Sequence, residues 1–204
     1  MFNKPQAFTR RAILTMGTAI AILPFLPGPA AALTLATARG LIDQVVADVN
    51  RVINSGRSEA QMIEDFEGIL VRYADMPTIA QSVLGPPARS ASSAQMAAFT
   101  EAFQGYLSRK YGRRFREFIG GQITVTGGQE VSRYFEIYST VNLAGVAPFA
   151  VNWRVWDRSG QTKFIDMLIE GVSLVISERQ EVGAILDRRN GDIGALIGDL
   201  RSAG

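Results

Sequence analysis

The chain contains no cysteine and no histidine among its 204 residues. Together these absences exclude a Ser/His/Asp triad, a thiolate nucleophile and the usual zinc sites, leaving only Ser, Lys, Tyr, Asp and Glu for any chemistry. They also exclude disulfides and a cysteine-linked lipid anchor, so an exported form is expected to be free and soluble. Acidic residues are missing from one region in particular. Residues 1–32 contain no Asp or Glu but do contain Lys4, Arg10 and Arg11. Without those three cations the formal charge of +2 becomes −1, and the electrostatic case for a nucleic-acid partner disappears.

The acid-free segment has the layout of a signal peptide. A basic start ends at Thr9-Arg10-Arg11, an apolar run extends from Ala12 to Leu26, and Pro27-Gly28-Pro29 leads to Ala30-Ala31-Ala32. Cleavage is expected after Ala32, releasing the protein into the periplasm. The rival is an uncleaved anchor, but a spanning helix needs roughly 20 residues and this run is shorter and broken by prolines. Arg10-Arg11 resembles a twin-arginine export signal, although Thr15 stands where that signal often has a basic residue; ordinary secretion is the other reading. The remainder, residues 33–204, has the length and apolar content of a single buried domain.

Hydrophobic spacing divides this domain in two. Leu41, Val45, Val49, Val52 and Ile53 recur at helical intervals between Thr34 and Asn54. Ser58 can cap a second helix striped by Met62, Ile63, Phe66, Ile69 and Leu70. A break at Asp75-Met76-Pro77 precedes a short helix over Thr78–Leu84, which Gly85-Pro86-Pro87 ends. The longest helical signal covers Ser93–Ile119. Five cations, Arg109, Lys110, Arg113, Arg114 and Arg116, gather toward its end, where they suit the helix dipole. They admit two readings, a solvated basic face or a contact to a headgroup or partner.

After Gly120-Gly121 the period falls to two. Strands are expected over Ile123–Thr126, Glu130–Leu143, Phe149–Asp157 and Thr162–Glu170. Their turns are placed at Gly127-Gly128, Gly145–Pro148 and Arg158–Gly160. Ser173 can cap a helix over Leu174–Arg188, and a last helix follows from Asp192 to Leu200. Helices first and an antiparallel meander afterwards predict an α+β domain with helices lying across one face of a curved sheet.

Two stretches carry a family resemblance. One runs from Tyr73 to Gly85, Tyr-Ala-Asp-Met-Pro-Thr-Ile-Ala-Gln-Ser-Val-Leu-Gly, and is followed by Phe99-Thr100-Glu101-Ala102-Phe103 and Tyr111. The other comprises Val151–Val155, then Phe164-Ile165-Asp166-Met167-Leu168-Ile169-Glu170-Gly171-Val172-Ser173-Leu174, then Arg179. Together they resemble the MlaC, or toluene-tolerance, family of periplasmic phospholipid-binding proteins over about Thr34–Leu200. Glu178 departs from the pattern, standing where an aromatic residue is common.

The resemblance implies a sheet like that of the NTF2 or cystatin folds, with a helical subdomain, enclosing an apolar pocket. It implies a monomeric carrier of a glycerophospholipid, held as cargo and not as a cofactor. Its partners would be an outer-membrane lipoprotein complex and an inner-membrane ABC transporter with an MCE-domain ring. An apolar pocket would take one wall from the helices, with Met76, Ile79, Val83 and Leu84 beside Phe99, Phe103, Tyr106, Leu107, Tyr111 and Phe115. The other wall would be a strand face bearing Val151, Trp153 and Val155, with Met167 and Ile169 on the next strand. Aromatic stripes of this kind also build ordinary solid cores.

Two other functions stay open. A small-molecule isomerase or hydrolase could use Asp166 as base with Tyr138 or Tyr134 as donor in an apolar cone, although no second polar group converges there. A ligand-free envelope adaptor would have a solid core instead of a pocket. Asp166 and Glu170 lie about 13 Å apart on a strand, too far for paired-carboxylate catalysis, and are read as turn- or strand-stabilising groups.

Overall fold

The computed structural model describes Met1 and residues 33–204; the signal-peptide expectation falls outside the described residues. Six α-helices and five strands follow one another as α1 (Leu35–Ile53), α2 (Glu59–Tyr73), α3 (Met76–Leu84), α4 (Ser93–Gly112), β1 (Gln122–Val131), β2 (Tyr134–Leu143), β3 (Val146–Trp156), β4 (Lys163–Ile169), β5 (Val172–Ser173), α5 (Leu174–Arg188) and α6 (Ile193–Ser202). The strands form one antiparallel meander in sequence order, so the domain is α+β as the spacing predicts. Among the described residues no helix is long and apolar enough to cross a membrane.

The caps sit where the side chains foretell. Thr34 and Ser58 form capping boxes with Thr37 and Gln61, and Ser173 accepts from the amide of Ile176 to start α5. Asp75 caps α3, which starts two residues earlier than the Pro77 break suggests, because proline is welcome in a first helical turn. The same carboxylate accepts from the Trp156 indole at 3.0 Å, tying α3 to the sheet.

Three expected boundaries are corrected. The Ser93–Ile119 helix is α only to Gly112 and tightens into a 3₁₀ helix over Arg113–Phe118. Gly112 lies against Ile63 of α2, where an added Cβ would come within 2.9 Å of Cγ1, so this glycine serves close helix packing. Gly127-Gly128 does not turn the chain. It forms a bulge inside β1, with the register shifting between Val125 and Gly127, and the reversal comes at Ser132-Arg133, Val131 pairing with Tyr134. A Cβ on Gly128 would meet Ile137 and the Glu136 carbonyl below 3.0 Å. Pro148 falls within β3, not in a turn; it lies beside the irregularity between Val141 and Leu143, where the ladder is already broken.

Glu170 ends outside the strand that was expected to contain it. With Gly171 it makes a two-residue turn in which both residues have positive φ, 49° and 79°, the requirement of a tight primed hairpin. Its carboxylate accepts from the Ala150 amide and its own amide donates to the Ala150 carbonyl at 3.0 Å. The turn-stabilising role read from the sequence fits this geometry.

The sheet edges are closed by side chains. On β1, the Asn50 amide of α1 donates to the Ile123 carbonyl and accepts from the Ile123 N–H, both at 2.9 Å, acting as a neighbouring strand would. On the other edge, β5 is only two residues long and runs straight into α5. α1 packs on the β1–β3 side, while α4 lies between α2, α3 and α6.

Candidate functional site

A cavity of about 420 Å³ lies between the helices and the inner face of the sheet, within the range of about 300–1,000 Å³ typical of ligand pockets. Its helical wall combines Val45 and Val49 of α1 with Phe66, Ile69 and Leu70 of α2. The sheet contributes Ile123, Val141, Leu143, Val146 and Phe149 toward one end. Leu174 and Val175, the first turn of α5, close another side. Only three lining residues are charged: Arg114, Glu117 and Asp166.

Of the residues expected to line a pocket, Met76, Ile79, Leu107, Tyr111 and Phe115 come together there with Val151, Trp153, Met167 and Ile169. Six do not: Val83, Leu84, Phe99, Phe103, Tyr106 and Val155 are buried elsewhere in the core. Helical geometry explains the division on α4. At about 100° per residue, Phe99, Phe103 and Tyr106 fall within one sector of about 60°, while Leu107 and Tyr111 are rotated from its middle by roughly 70° and 110°. One broad apolar stripe therefore serves two environments. Phe99 and Phe103 stack at 5.7 Å with no exposure, forming solid core. Val83 and Leu84 stand about a turn beyond Ile79, on a helix that packs against α5. Val155 is registered between Phe135 and Phe164, whose rings occupy the space beside it.

The bulge between Arg154 and Val155 aligns β4 with the cavity. It admits one extra β4 residue, so Phe164, Met167 and Ile169 all register with the inward-facing Val155, Trp153 and Val151. Trp153 is held by its indole N–H donating to Ser139 Oγ at 3.1 Å, and Ser139 in turn donates to the Val151 carbonyl at 2.6 Å. The Trp153 indole and the Ser139 hydroxyl are thus satisfied within the sheet.

Asp166 is fully committed. Its two oxygens accept from Arg154 (3.1 Å), Ser173 Oγ (2.7 Å), and the amides of Met167 (2.8 Å) and Val175 (3.1 Å), which fills the roughly four lone-pair positions of a carboxylate. It joins β4, β5 and the start of α5. Neither Tyr134 nor Tyr138 lines the cavity; Tyr134 lies beneath the Arg154 guanidinium at 5.2 Å. Among the described residues, no group of three or more acidic side chains could hold a metal ion.

Aromatic rings cross one end of the cavity. Phe66 of α2 meets Phe115 edge-on at 4.8 Å, Phe115 meets Phe118 at 6.4 Å, and Phe118 meets Phe149 of β3 at 6.3 Å. The 3₁₀ tightening after Gly112 carries Phe115 and Phe118 into this chain. Next to lining residues lie the exposed Ile119, Val172 and Ile176, and the lining residue Val146 is itself exposed. Phe118, Phe149, Val175 and the α1 and α2 residues escaped the sequence reading because their apolar stripes are indistinguishable from those of a filled core.

Behind Tyr111 lies a polar cluster. Glu178 is 1% exposed and accepts from the Tyr111 hydroxyl at 2.5 Å and Lys110 at 2.8 Å. Lys110 also reaches Glu181 at 2.5 Å, and Tyr106 donates to Glu181 at 2.6 Å. Burial and the hydrogen bond to Glu178 push the Tyr111 hydroxyl well above its ordinary range. Burial works against the Lys110 charge, but the bonds to Glu178, Glu181 and Tyr106 outweigh it and hold the ammonium protonated. The buried Glu178 carboxylate is thus compensated by Lys110 of α4.

An α+β container with a cavity walled almost wholly by hydrocarbon is built to hold an apolar ligand. The model of the MlaC protein family matches residues 42–202, and the chain belongs to that family. The intermembrane phospholipid transport system binding protein MlaC of Haemophilus influenzae is 27% identical over 128 residues, which is 60% of this chain. The match spans 60% of that relative's length. A solved phospholipid-binding protein from Ralstonia solanacearum, in complex with a phospholipid, shares the fold with a TM-score of 0.67 at 21% identity, covering 84% of this chain and 96% of that one.

Proposed function

We propose that this chain is a periplasmic phospholipid carrier and not an enzyme. In this reading it passes lipid between an outer-membrane lipoprotein complex and an inner-membrane ABC transporter with an MCE-domain ring, after removal of residues 1–32. The observation that carries the reading is the cavity: about 420 Å³ walled almost wholly by aliphatic and aromatic side chains, in a member of the MlaC family. The names of the two relatives, one a phospholipid transport protein and the other a phospholipid-binding protein, support the choice of cargo.

The energetics suit a shuttle. Each acyl methylene placed in the cavity is worth about 0.8 kcal/mol in removal from water, so a segment of about ten amounts to roughly 8 kcal/mol. Loss to water is therefore slow, whereas a bilayer or a partner's apolar channel offers equivalent burial and lets transfer proceed near balance. The exposed Ile119, Val172 and Ile176 beside lining residues, with the exposed lining residue Val146, supply a surface over which a chain could leave without crossing water. The catalytic alternative loses the base nominated for it, since Asp166 is committed to four donors.

The test is to purify the protein from the periplasm without detergent and extract it with organic solvent. Lipid is then identified by mass spectrometry beside the native mass of the intact protein. Stoichiometric glycerophospholipid is expected. A bare protein mass that stays unchanged after incubation with phospholipid vesicles would refute the carrier and favour the adaptor.

A further inference from the structure

The basic cluster at the end of α4 resolves into individual assignments. Arg109 donates from Nε to the Ala203 carbonyl at 2.8 Å and from Nη2 to the Leu200 carbonyl at 2.6 Å, closing the end of α6. Lys110 is held by Glu178 and Glu181. Arg113 and Arg116 both reach back to Glu59 at the start of α2, at 3.9 and 3.2 Å. Arg109, Lys110 and Arg116 are thus hydrogen-bonded to other elements, while Arg113, like Arg114, has its carboxylate only at 3.9 Å.

Arg114 differs from the other four in its place beside the cavity. It lines the cavity yet its side chain is 62% exposed, which places it on the margin between hydrocarbon and solvent. The carboxylate it faces, Glu117, lies 3.9 Å from Nε, beyond hydrogen-bond reach. Its guanidinium donors remain open on the side where a molecule with buried acyl chains must leave its headgroup. A planar guanidinium matches the two non-bridging oxygens of a phosphodiester in a bidentate fork. Glu117 also lines the cavity and is 66% exposed; as an ionised acceptor it repels a further anion and receives an ammonium group.

We infer that Arg114 anchors the phosphodiester of the carried lipid and that Glu117 is its counter-charge, so that amine-bearing zwitterionic headgroups are preferred over anionic ones. The inference rests on the phospholipid-carrier reading and deepens it.

The experiment incubates the purified protein with vesicles containing equal parts phosphatidylethanolamine, phosphatidylglycerol and diacylglycerol, separates protein from vesicles, and quantifies the extracted lipids. Arg114→Gln, Arg114→Lys and Glu117→Gln are compared with the parent, each checked for an unchanged melting temperature. Arg114→Gln is expected to lower the ratio of phospholipid to diacylglycerol about 3- to 10-fold, between the scale of an exposed ion pair and that of a charge-assisted hydrogen bond. Arg114→Lys restores part of it. Glu117→Gln is expected to lower phosphatidylethanolamine relative to phosphatidylglycerol roughly 2- to 5-fold. An unchanged phospholipid ratio in Arg114→Gln overturns the anchor, and an unchanged headgroup ratio in Glu117→Gln overturns the counter-charge. Inorganic phosphate in the buffer is expected to leave the parent's ratios intact; if it abolishes the Arg114 dependence, the arginine is a free-anion site and the proposal falls. A parent protein that takes up no lipid fails differently, by removing the carrier reading itself.

Discussion

Replacing Lys110 by methionine removes the cation from a buried carboxylate and keeps the length of the side chain. Glu178 is left at 1% exposure with the Tyr111 hydroxyl as its remaining donor, because its Oε2 has no hydrogen-bond partner even with Lys110 present. Breaking a buried ion pair from one side costs about 3–5 kcal/mol. The Lys110 side chain is 27% exposed, so solvent already screens part of the interaction, and a loss of about 2–4 kcal/mol is expected. For a domain of this size each kcal/mol moves the midpoint by roughly 2–4 °C, giving a fall on the order of 4–16 °C in a circular-dichroism melt of delipidated protein. The triple variant Lys110→Met, Glu178→Leu, Tyr111→Phe removes the stranded charge and the hydroxyl that served it, and should recover most of the loss. A single variant within 1 kcal/mol of the parent, or a triple variant no more stable than the single, would refute the assignment of Lys110 as the compensating charge. The cluster joins α4 to α5, and the first turn of α5 supplies Leu174 and Val175 to the cavity, so the single variant should also hold lipid less well.

Two further predictions concern the fold. Asn50→Ala leaves the N–H and C=O of the buried Ile123 without their reciprocal partner; about 1–3 kcal/mol should be lost in urea titration with an unchanged slope, and the Ile123 amide should exchange faster. Loss below about 0.5 kcal/mol with a slow Ile123 amide would contradict the edge-closing role. The pH profile is set by the absence of histidine. The Tyr73 hydroxyl, with Arg51 and Arg72, holds the Asp48 carboxyl below its ordinary 3.8 against desolvation, and Lys110 with Tyr106 holds Glu181 below 4.5. Folded pKa values that are depressed mean the unfolded chain takes up protons first as pH falls. Their stabilisation is therefore present above about pH 4.5 and lost below it. Tyr106, Tyr111 and Lys110 are raised, so their contributions persist below about pH 10 and decline above it. A flat melting temperature between about pH 5 and 9.5, falling on both sides, is expected; a slope inside that interval would show that another group governs stability.

The element types and their order were legible because they depend on neighbours in the chain. A period of 3.6 or 2, a capping Thr34, Ser58 or Ser173, and a proline at position 77 act through contacts within a few residues. Glycine was the least legible residue. Gly112 and Gly128 were absorbed into a helix signal and a turn signal, yet each marks a place where another element approaches too closely for a Cβ. Nothing local to either position announces Ile63 or Ile137.

By itself, the sequence determined the α+β class, the excluded chemistries, the family motifs and the apolar character of the residues that wall the cavity. Tertiary structure alone decided which of those apolar residues face open volume and which face one another. Phe103 and Leu107 lie on the same helix with similar burial, only about 40° apart around its axis, yet Leu107 alone of the two lines the cavity, because what packs opposite each is decided by other chain segments. The same holds for the cations: of five neighbours in sequence, Arg109, Lys110 and Arg116 became hydrogen-bonded ties and Arg114 came to the cavity margin. Polarity is a property of each residue. Whether a polar or apolar group meets a partner depends on chain segments tens of residues away, and these come together only on folding.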